Sequence, residues 1–157
     1  MRASGFEKDN VVYCDIDTYL TAIDIKTDSQ LWERDDKWAY TAKDIYEYNG
    51  VLLKCGVNAT TGYDAKTGAV LYNYDNYGSY DTTQDGKYAY IVTRKQNVDI
   101  INIETGDILD VVKCKYAGND EYFSGSCPTI HDGKMYIMSD RHLFRDRKST
   151  RLNSSHW

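Results

Sequence analysis

Few side chains in this sequence are spaced for chemistry. The histidines are His131, His142 and His156. His131 stands just before an Asp132-Gly133 turn and His142 in a predicted strand, so each reads as a solvated or packed residue rather than a catalyst. No HExxH or G-x-S-x-G spacing occurs; Ser124 and Ser126 lie close to Cys127 in "FSGSCPT", but no partner base can be placed beside them, so nucleophilic catalysis has no support. Carboxylates are more plentiful: Asp15 and Asp17 in "CDID", Asp35 and Asp36, Asp120 and Glu121. On a strand Asp15 and Asp17 share one face, which would suit a cation or a glycosidase-like pair. The commoner use of such residues is at turns and strand edges, where they discourage pairing with a neighbour. None has the spacing of a calcium loop.

The four cysteines, Cys14, Cys55, Cys114 and Cys127, are widely separated. They form no CxxC pair and no Cys/His ligand set, and three pairings among them stay open. Cys14 in "VVYCDI" and Cys55 in "VLLKCG" read as small apolar fillers of strands. Tyrosine is the conspicuous residue, 15 copies against 3 Phe, a bias towards half-buried pleated surfaces. The stretches "YTAKDIYEY" and "YNYDNYGSY" make Tyr40, Tyr46, Tyr48, Tyr74, Tyr77 and Tyr80 candidates for docking a sugar or a peptide, since Tyr offers contact area at low entropic cost. The alternative is that they cover strand surfaces. Asn58 in "NAT" fits a glycosylation sequon, which matters only in a secreting eukaryote.

The elements that would position these residues come from a repeat. "AIDIKTDSQLWER" from Ala22, "GYDAKTGAVLYNY" from Gly62 and "IINIETGDILDVV" from Ile100 align without gaps. Each reads apolar-x-Asp/Asn, two positions, Thr, Gly or Asp, then an alternating apolar strand, at a spacing of about 40 residues, the range of propeller blades. A second element precedes each one: "DNVVYCDI", "NGVLLKCG", "DGKYAYIVT" and "DGKMYIMSD" place Asp/Asn, usually with Gly, before an apolar run. Such pairs adopt positive φ cheaply and close tight hairpins. One unit is therefore strand, Asx-Gly turn, strand, loop, strand ending in Asp or Asn, Thr-Gly turn, strand. The class is all-β: a β-propeller fragment of four-stranded antiparallel blades, about three and a half of them, with units near 1–38, 39–77, 78–124 and 125–145.

These segments resemble the "A-x-D-x-x-T-G-x-x-x-W" signature of PQQ-like (pyrroloquinoline-quinone-like) propeller repeats over nearly all of Asn10 to Phe144. The signature Trp matches Trp32; Tyr72 and Asp110 hold the equivalent places. Asp24, Trp32, Asp64, Gly68, Tyr72, Asn102 and Gly106 are thus repeat positions with a structural role. Within the family, quinone-dependent dehydrogenases hold their cofactor with adjacent cysteines, a stacking Trp and a calcium ion. This sequence has neither adjacent cysteines nor a placeable calcium loop, so the resemblance points to the cofactor-free branch that includes the β-barrel assembly lipoprotein. It implies a non-catalytic scaffold that binds a protein or polysaccharide, with no cofactor, in the periplasm, cell envelope or outside the cell. The alternative is an arc of a propeller enzyme, quinone-dependent or other, whose catalytic residues lie in further blades of a longer chain.

Charge and hydropathy exclude other classes. The chain carries 19 Lys and Arg against 24 Asp and Glu. Setting aside the three bases and one acid of 146–157 leaves 16 against 23, a net −7, a field that repels a phosphate backbone. Nucleic-acid binding is not expected. No apolar run approaches the ~20 residues of a membrane helix, and "MRASGFEKDN" lacks the apolar core of a secretory signal. The ending "DRKSTRLNSSH" back-translates to a string similar to a short-read sequencing adapter, so 146–157 is expected to be an artefactual tail that interrupts the fourth unit. Length and blade number of the natural protein stay open.

Overall fold

The computed structural model describes residues 3–16, 19–35, 45–55, 59–74, 80–83, 86–93, 95, 97–113, 123, 128–139 and 141–146. Among them there is no helix, and all regular structure is antiparallel strand. The first sheet is β1 (Ala3–Lys8), β2 (Val11–Ile16), β3 (Tyr19–Asp24) and β4 (Ser29–Asp35). The second is β5 (Tyr46–Tyr48), β6 (Val51–Cys55), β7 (Thr60–Asp64) and β8 (Val70–Tyr74). The third is β9 (Tyr80–Thr82), β10 (Tyr88–Val92), β11 (Asn97–Asn102) and β12 (Ile108–Lys113). The fourth has three strands, β13 (Thr129–His131), β14 (Lys134–Met138) and β15 (Leu143–Asp146). Every sheet is a meander in chain order, the blade of a β-propeller. Asp146, which opens the stretch read as adapter, pairs with Met135 at the end of β15; residues 147–157 lie outside the described set.

The turns have direct causes. Asp9 and Asn10 (φ 53° and 66°), Asn49 and Gly50 (46° and 83°), and Asp132 and Gly133 (49° and 67°) all take positive φ. Two consecutive positive values make the turn whose twist matches the flanking strands. A carboxylate three positions back steadies two of them: Glu7 Oε1 accepts from Asn10 N at 2.9 Å and Glu47 Oε1 from Gly50 N at 2.6 Å. At the second kind of turn, Asp24 Oδ1 accepts from the backbone N–H of Lys26 and Thr27 at 2.8 and 3.2 Å. Asp64 Oδ1 does the same for Lys66 and Thr67, both at 2.9 Å, an Asx-turn that satisfies donors a tight bend would orphan.

The strand after each such turn carries a bulge at the same place. Ala22 faces Trp32 while Ile23 faces Gln30, Gly62 faces Tyr72 while Tyr63 faces Val70, and Ile100 faces Asp110 while Ile101 faces Ile108. Leu31, Leu71 and Leu109 are the skipped residues, each about half exposed. A bulge bends an edge strand and spoils it as a template for further pairing.

The chain divides into two compact units, Met1–Tyr77 with Ile103–Gly106, and Gly78–Asn102 with Asp107–Trp157. The first is built on Tyr13, Leu20, Ala22, Ile45, Leu52, Tyr63 and Ala65, with Phe6, Val11 and Trp32 packed against them. The second is built on Tyr88, Tyr90, Val92, Val98, Ile100, Phe123, Met135 and Ile137, with Val112, Ile130 and Phe144 alongside. Within the second unit, Asp81 Oδ2 on β9 accepts from the backbone N–H of Ile130 on β13 at 2.7 Å.

Candidate functional site

Two aromatic seats order the first unit. Trp32 donates its indole Nε1–H to the carbonyl of Ala65 at 3.0 Å, and its ring lies over Gly68, where an added Cβ would come within 2.6 Å of Cε3. One repeat on, Tyr72 donates its hydroxyl to the carbonyl of Ile103 at 2.8 Å and lies over Gly106, where a Cβ would come within 2.5 Å of Cδ1. The glycines are required twice over, because φ is +72° at Gly68 and +78° at Gly106. The first turn carries Asp28 instead, with a Cβ and φ 52°.

The first unit also buries a charge pair. Lys54 Nζ on β6 donates to Asp15 Oδ1 on β2 at 3.1 Å, their side chains 0% and 5% exposed. Lys54 interrupts an otherwise apolar run, Val51-Leu52-Leu53, and Asp15 is the acid that draws it inward. Asp15 therefore serves as an ion-pair partner. Its sequence neighbour Asp17, along with Asp36, Asp120 and Glu121, lies outside the described residues.

A groove of about 840 Å³ opens in this unit between the β1–β2 turn, the β5–β6 turn and the Asp64–Lys66 turn. Its walls are Val11, Leu31, Val51 and Leu71; its polar groups are Lys8, Asp9, Tyr13, Glu47, Asn49, Asp64 and Lys66. Glu47 is nearly buried and binds the Lys8 ammonium through Oε2 as well as Gly50 N through Oε1. Asn49 Nδ2 donates to Glu104 Oε1 at 3.1 Å. Tyr13 is 7% exposed, with Phe6 stacked on it at 6.5 Å and Trp32 tilted against it at 6.1 Å between centroids.

The electrostatics single out the same place. Burial pushes the Tyr13 phenol above its ordinary value, with Glu47 adding to the rise and Lys8 opposing it. The hydrogen bond to Glu47 raises the Lys8 ammonium. Elsewhere, burial raises the Asp99 carboxyl against the opposing pull of Lys95. Perturbed groups gathered in one concavity mark a candidate binding site.

Of the residues singled out in the sequence, Asp64 lines the groove and the candidate docking tyrosines that are described fall elsewhere. Tyr46 and Tyr48 lie half-buried on β5, opposite Leu53 and Val51. Tyr74 is half-buried on β8 with its ring 5.7 Å from that of Tyr72. None of the three lines the groove. Tyr80 is placed as the first residue of β9; Tyr40, Tyr77, Asn58, Ser124, Ser126, Cys114, Cys127 and His156 lie outside the described residues. Asn102 ends β11, where its backbone N–H donates to Asp107 at 2.9 Å. His131 is exposed and 3.3 Å from Asp132, and the His142 backbone N–H donates to Ser139 Oγ at 3.0 Å. Cys14 is free and half-buried on β2. Among the described residues, no three His, Cys, Asp or Glu side chains gather as a metal site, and no helix is long and apolar enough to cross a membrane. The groove was missed because Tyr13, Leu31 and Leu71 each read as ordinary strand residues. The one signal available was the recurrence of Leu just before the signature aromatic position.

Four meandering sheets with aromatic seats over Thr-Gly turns define a β-propeller arrangement. No protein-family model and no curated protein matches the sequence. Among solved structures the chain superposes on BamB from Moraxella catarrhalis with a TM-score of 0.72 and 16% identity, over 94% of this chain and 46% of that one. It is similar to a quinohemoprotein alcohol dehydrogenase from Pseudomonas putida, TM-score 0.64 and 13% identity, over 93% of this chain and 32% of that one. The computationally designed protein Ika4 matches at TM-score 0.64 and 11% identity, over 91% of this chain and 88% of that one. The chain therefore spans less than half the length of the natural proteins it resembles here. The fold shared with them is the β-propeller.

Proposed function

We propose that this chain is a non-catalytic propeller module that binds a protein or polymer partner. The observation that carries the reading is the construction of the groove. Its carboxylates Glu47 and Asp64 are engaged in bracing turns, and its walls are rigid hairpins, so it presents a fixed mixed surface of the kind used for recognition. The cofactor-binding alternative fits the described residues poorly. Among the described residues the one tryptophan, Trp32, is packed against Gly68 and Tyr13 with its N–H given to Ala65, so it offers no free stacking plane. The resemblance to the cofactor-free branch supports a place in the periplasm, the cell envelope or outside the cell.

The test is a dye-linked oxidation assay of the chain supplied with pyrroloquinoline quinone and calcium, using primary alcohols and aldoses. No turnover is expected, and measurable turnover would overturn the reading. A second reading, an arc of a propeller enzyme with catalytic residues in further blades, is favoured by the likeness to the quinohemoprotein alcohol dehydrogenase. Sequencing the gene beyond the present reading frame separates the two: adjacent cysteines with calcium ligands would favour the enzyme, and degenerate repeats alone the scaffold.

A further inference from the structure

The fourth sheet is open on one side. Among the described residues it has three strands where the other three sheets have four, and no strand pairs with the outer edge of β15. In the first three sheets the outermost strand, β4, β8 or β12, carries a bulge, which spoils that edge for further pairing. β15 runs beside β14 from Leu143 to Asp146 without a register shift, so its outer edge stays straight.

The direction of the backbone groups follows from one hydrogen bond. Ser139 N donates to the carbonyl of His142 at 2.9 Å, so His142 turns its backbone towards β14. Alternation turns the backbones of Phe144 and Asp146 the same way and sends the N–H and C=O of Leu143 and Arg145 outward. The edge thus offers two donors and two acceptors in the spacing of an antiparallel ladder. The side chains beside it are uncovered as well. Leu143 is 67% exposed and Met138, directly opposite it on β14, is 58% exposed, the two highest values among the large hydrophobic residues described.

The order of residues in β15 selects what closes this edge. When the strand meets its own copy antiparallel, with Phe144 on the two-fold axis, Leu143 falls opposite Arg145 of the second copy and Arg145 opposite Leu143. Both outward residues of both strands are then bonded through four hydrogen bonds. Sliding the strands by two residues either way leaves one bonded pair within β15, Leu143 against itself or Arg145 against itself, and the latter sets like charges face to face. A two-fold axis normal to the sheet keeps each face on its own side. On one face the Phe144 rings meet across the axis, each already set edge-on against Phe123 at 5.3 Å between centroids. On the other, the aliphatic stem of each Arg145 covers the exposed Leu143 of the second copy.

We infer that this edge is a self-association site: two copies of the chain join β15 to β15, antiparallel about Phe144, into one continuous six-stranded sheet. The contact is isologous, so a single interface closes both edges and assembly stops at the dimer. Its small area makes the dimer weak and concentration-dependent. The site lies in the second unit and shares no residue with the groove, so it stands whether or not the groove binds a partner.

The experiment is sedimentation velocity of the full chain from about 5 µM to about 1 mM, with amide hydrogen exchange at both ends of that range. The average mass should rise from monomer towards dimer. The Leu143 and Arg145 amides should gain protection with concentration, while that of Phe144, bonded to β14, stays protected throughout. Arg145→Pro removes an outward donor and no bond to β14, and should weaken association at least about tenfold. Both Leu143 and Arg145 are exposed, so charge changes there leave the core untouched. Leu143→Lys, set against Arg145 of the second copy, should weaken association about tenfold, and Leu143→Glu should strengthen it about threefold. The exchange Leu143→Lys/Arg145→Glu should restore it. Each variant is checked for a native circular dichroism spectrum and melt; if the proline variant fails that check, the Leu143 pair decides. A monomer at every concentration, equal weakening by Leu143→Lys and Leu143→Glu, or a dimer that a folded Arg145→Pro leaves intact would each overturn the inference.

Discussion

Trp32 and Tyr72 hold the same place in consecutive repeats and meet the same need with different chemistry. Each lays a flat ring over a positive-φ glycine and donates one hydrogen bond to a backbone carbonyl, Ala65 in one case and Ile103 in the other. The indole also reaches Tyr13 in the interior. The phenol instead crowds its own sheet, where a Cβ on Gly62 would fall 2.3 Å from its Cζ. The longer Tyr needs a glycine beneath it as well as in front of it. What the repeat demands is therefore a planar donor and a bare turn, and the identity of the ring is negotiable if the neighbouring strand gives way. Asp110, in the third copy, satisfies neither demand; its Oδ1 accepts from the backbone N–H of Val111 at 2.8 Å.

The largest expected effect falls on the charge pair buried in the same unit as the Trp32 seat. Lys54→Met should remove the Lys54 cation from the buried Asp15 carboxylate and cost about 3–5 kcal/mol in chemical denaturation, whereas the double substitution Lys54→Met/Asp15→Leu should recover most of that. Additive losses in the double variant would show that the pair does not act as a unit. Next come the bare turns: Gly68→Ala and Gly106→Ala should each cost about 2–4 kcal/mol, because a Cβ meets both a ring and an unfavourable φ. If only Gly68 is sensitive, the Tyr72 seat is looser than its geometry implies.

Removing only the donor should be milder. Trp32→Phe and Tyr72→Phe should each lose about 1 kcal/mol from the hydrogen bond, with the indole variant losing further ring contact as well. Alkaline titration gives a smaller and signed effect. The Tyr13 phenol is raised by burial, so its contribution is fully present below the unfolded value of about 10 and is lost as pH rises through the folded one. Tyr13→Phe should flatten that part of the stability profile, and an unchanged profile would place the hydroxyl in bulk water. Smallest of all is Asp28→Gly, at the turn that carries a Cβ. It should change stability by less than about 0.5 kcal/mol, since Asp tolerates this conformation and glycine gains freedom in the unfolded chain.

Much of the architecture was readable before any coordinates. Asx-Gly pairs ahead of apolar runs announced the hairpins, and the register of "AIDIKTDSQLW" with "GYDAKTGAVLY" announced the blades, because turn chemistry and alternation are local properties of a chain. The docking value of Tyr72 in place of Trp was not readable, since it depends on how far a phenol reaches to Ile103, 31 residues on. Nor was the candidate site. The tyrosines that attracted notice do so by number, whereas the groove uses Tyr13, whose surroundings come from three separate turns.

The division follows from range. Residue order alone determined that this chain forms meandering sheets with a repeating Asp-to-Gly turn, because φ preference, pleating and side-chain alternation act over a few residues. Tertiary structure alone decided that Lys54 would meet Asp15 and that Glu47 would bind Lys8. Both pairs lie 39 positions apart in the chain. Only burial, which makes an unmatched charge or hydroxyl costly, gives such distant groups a reason to find one another.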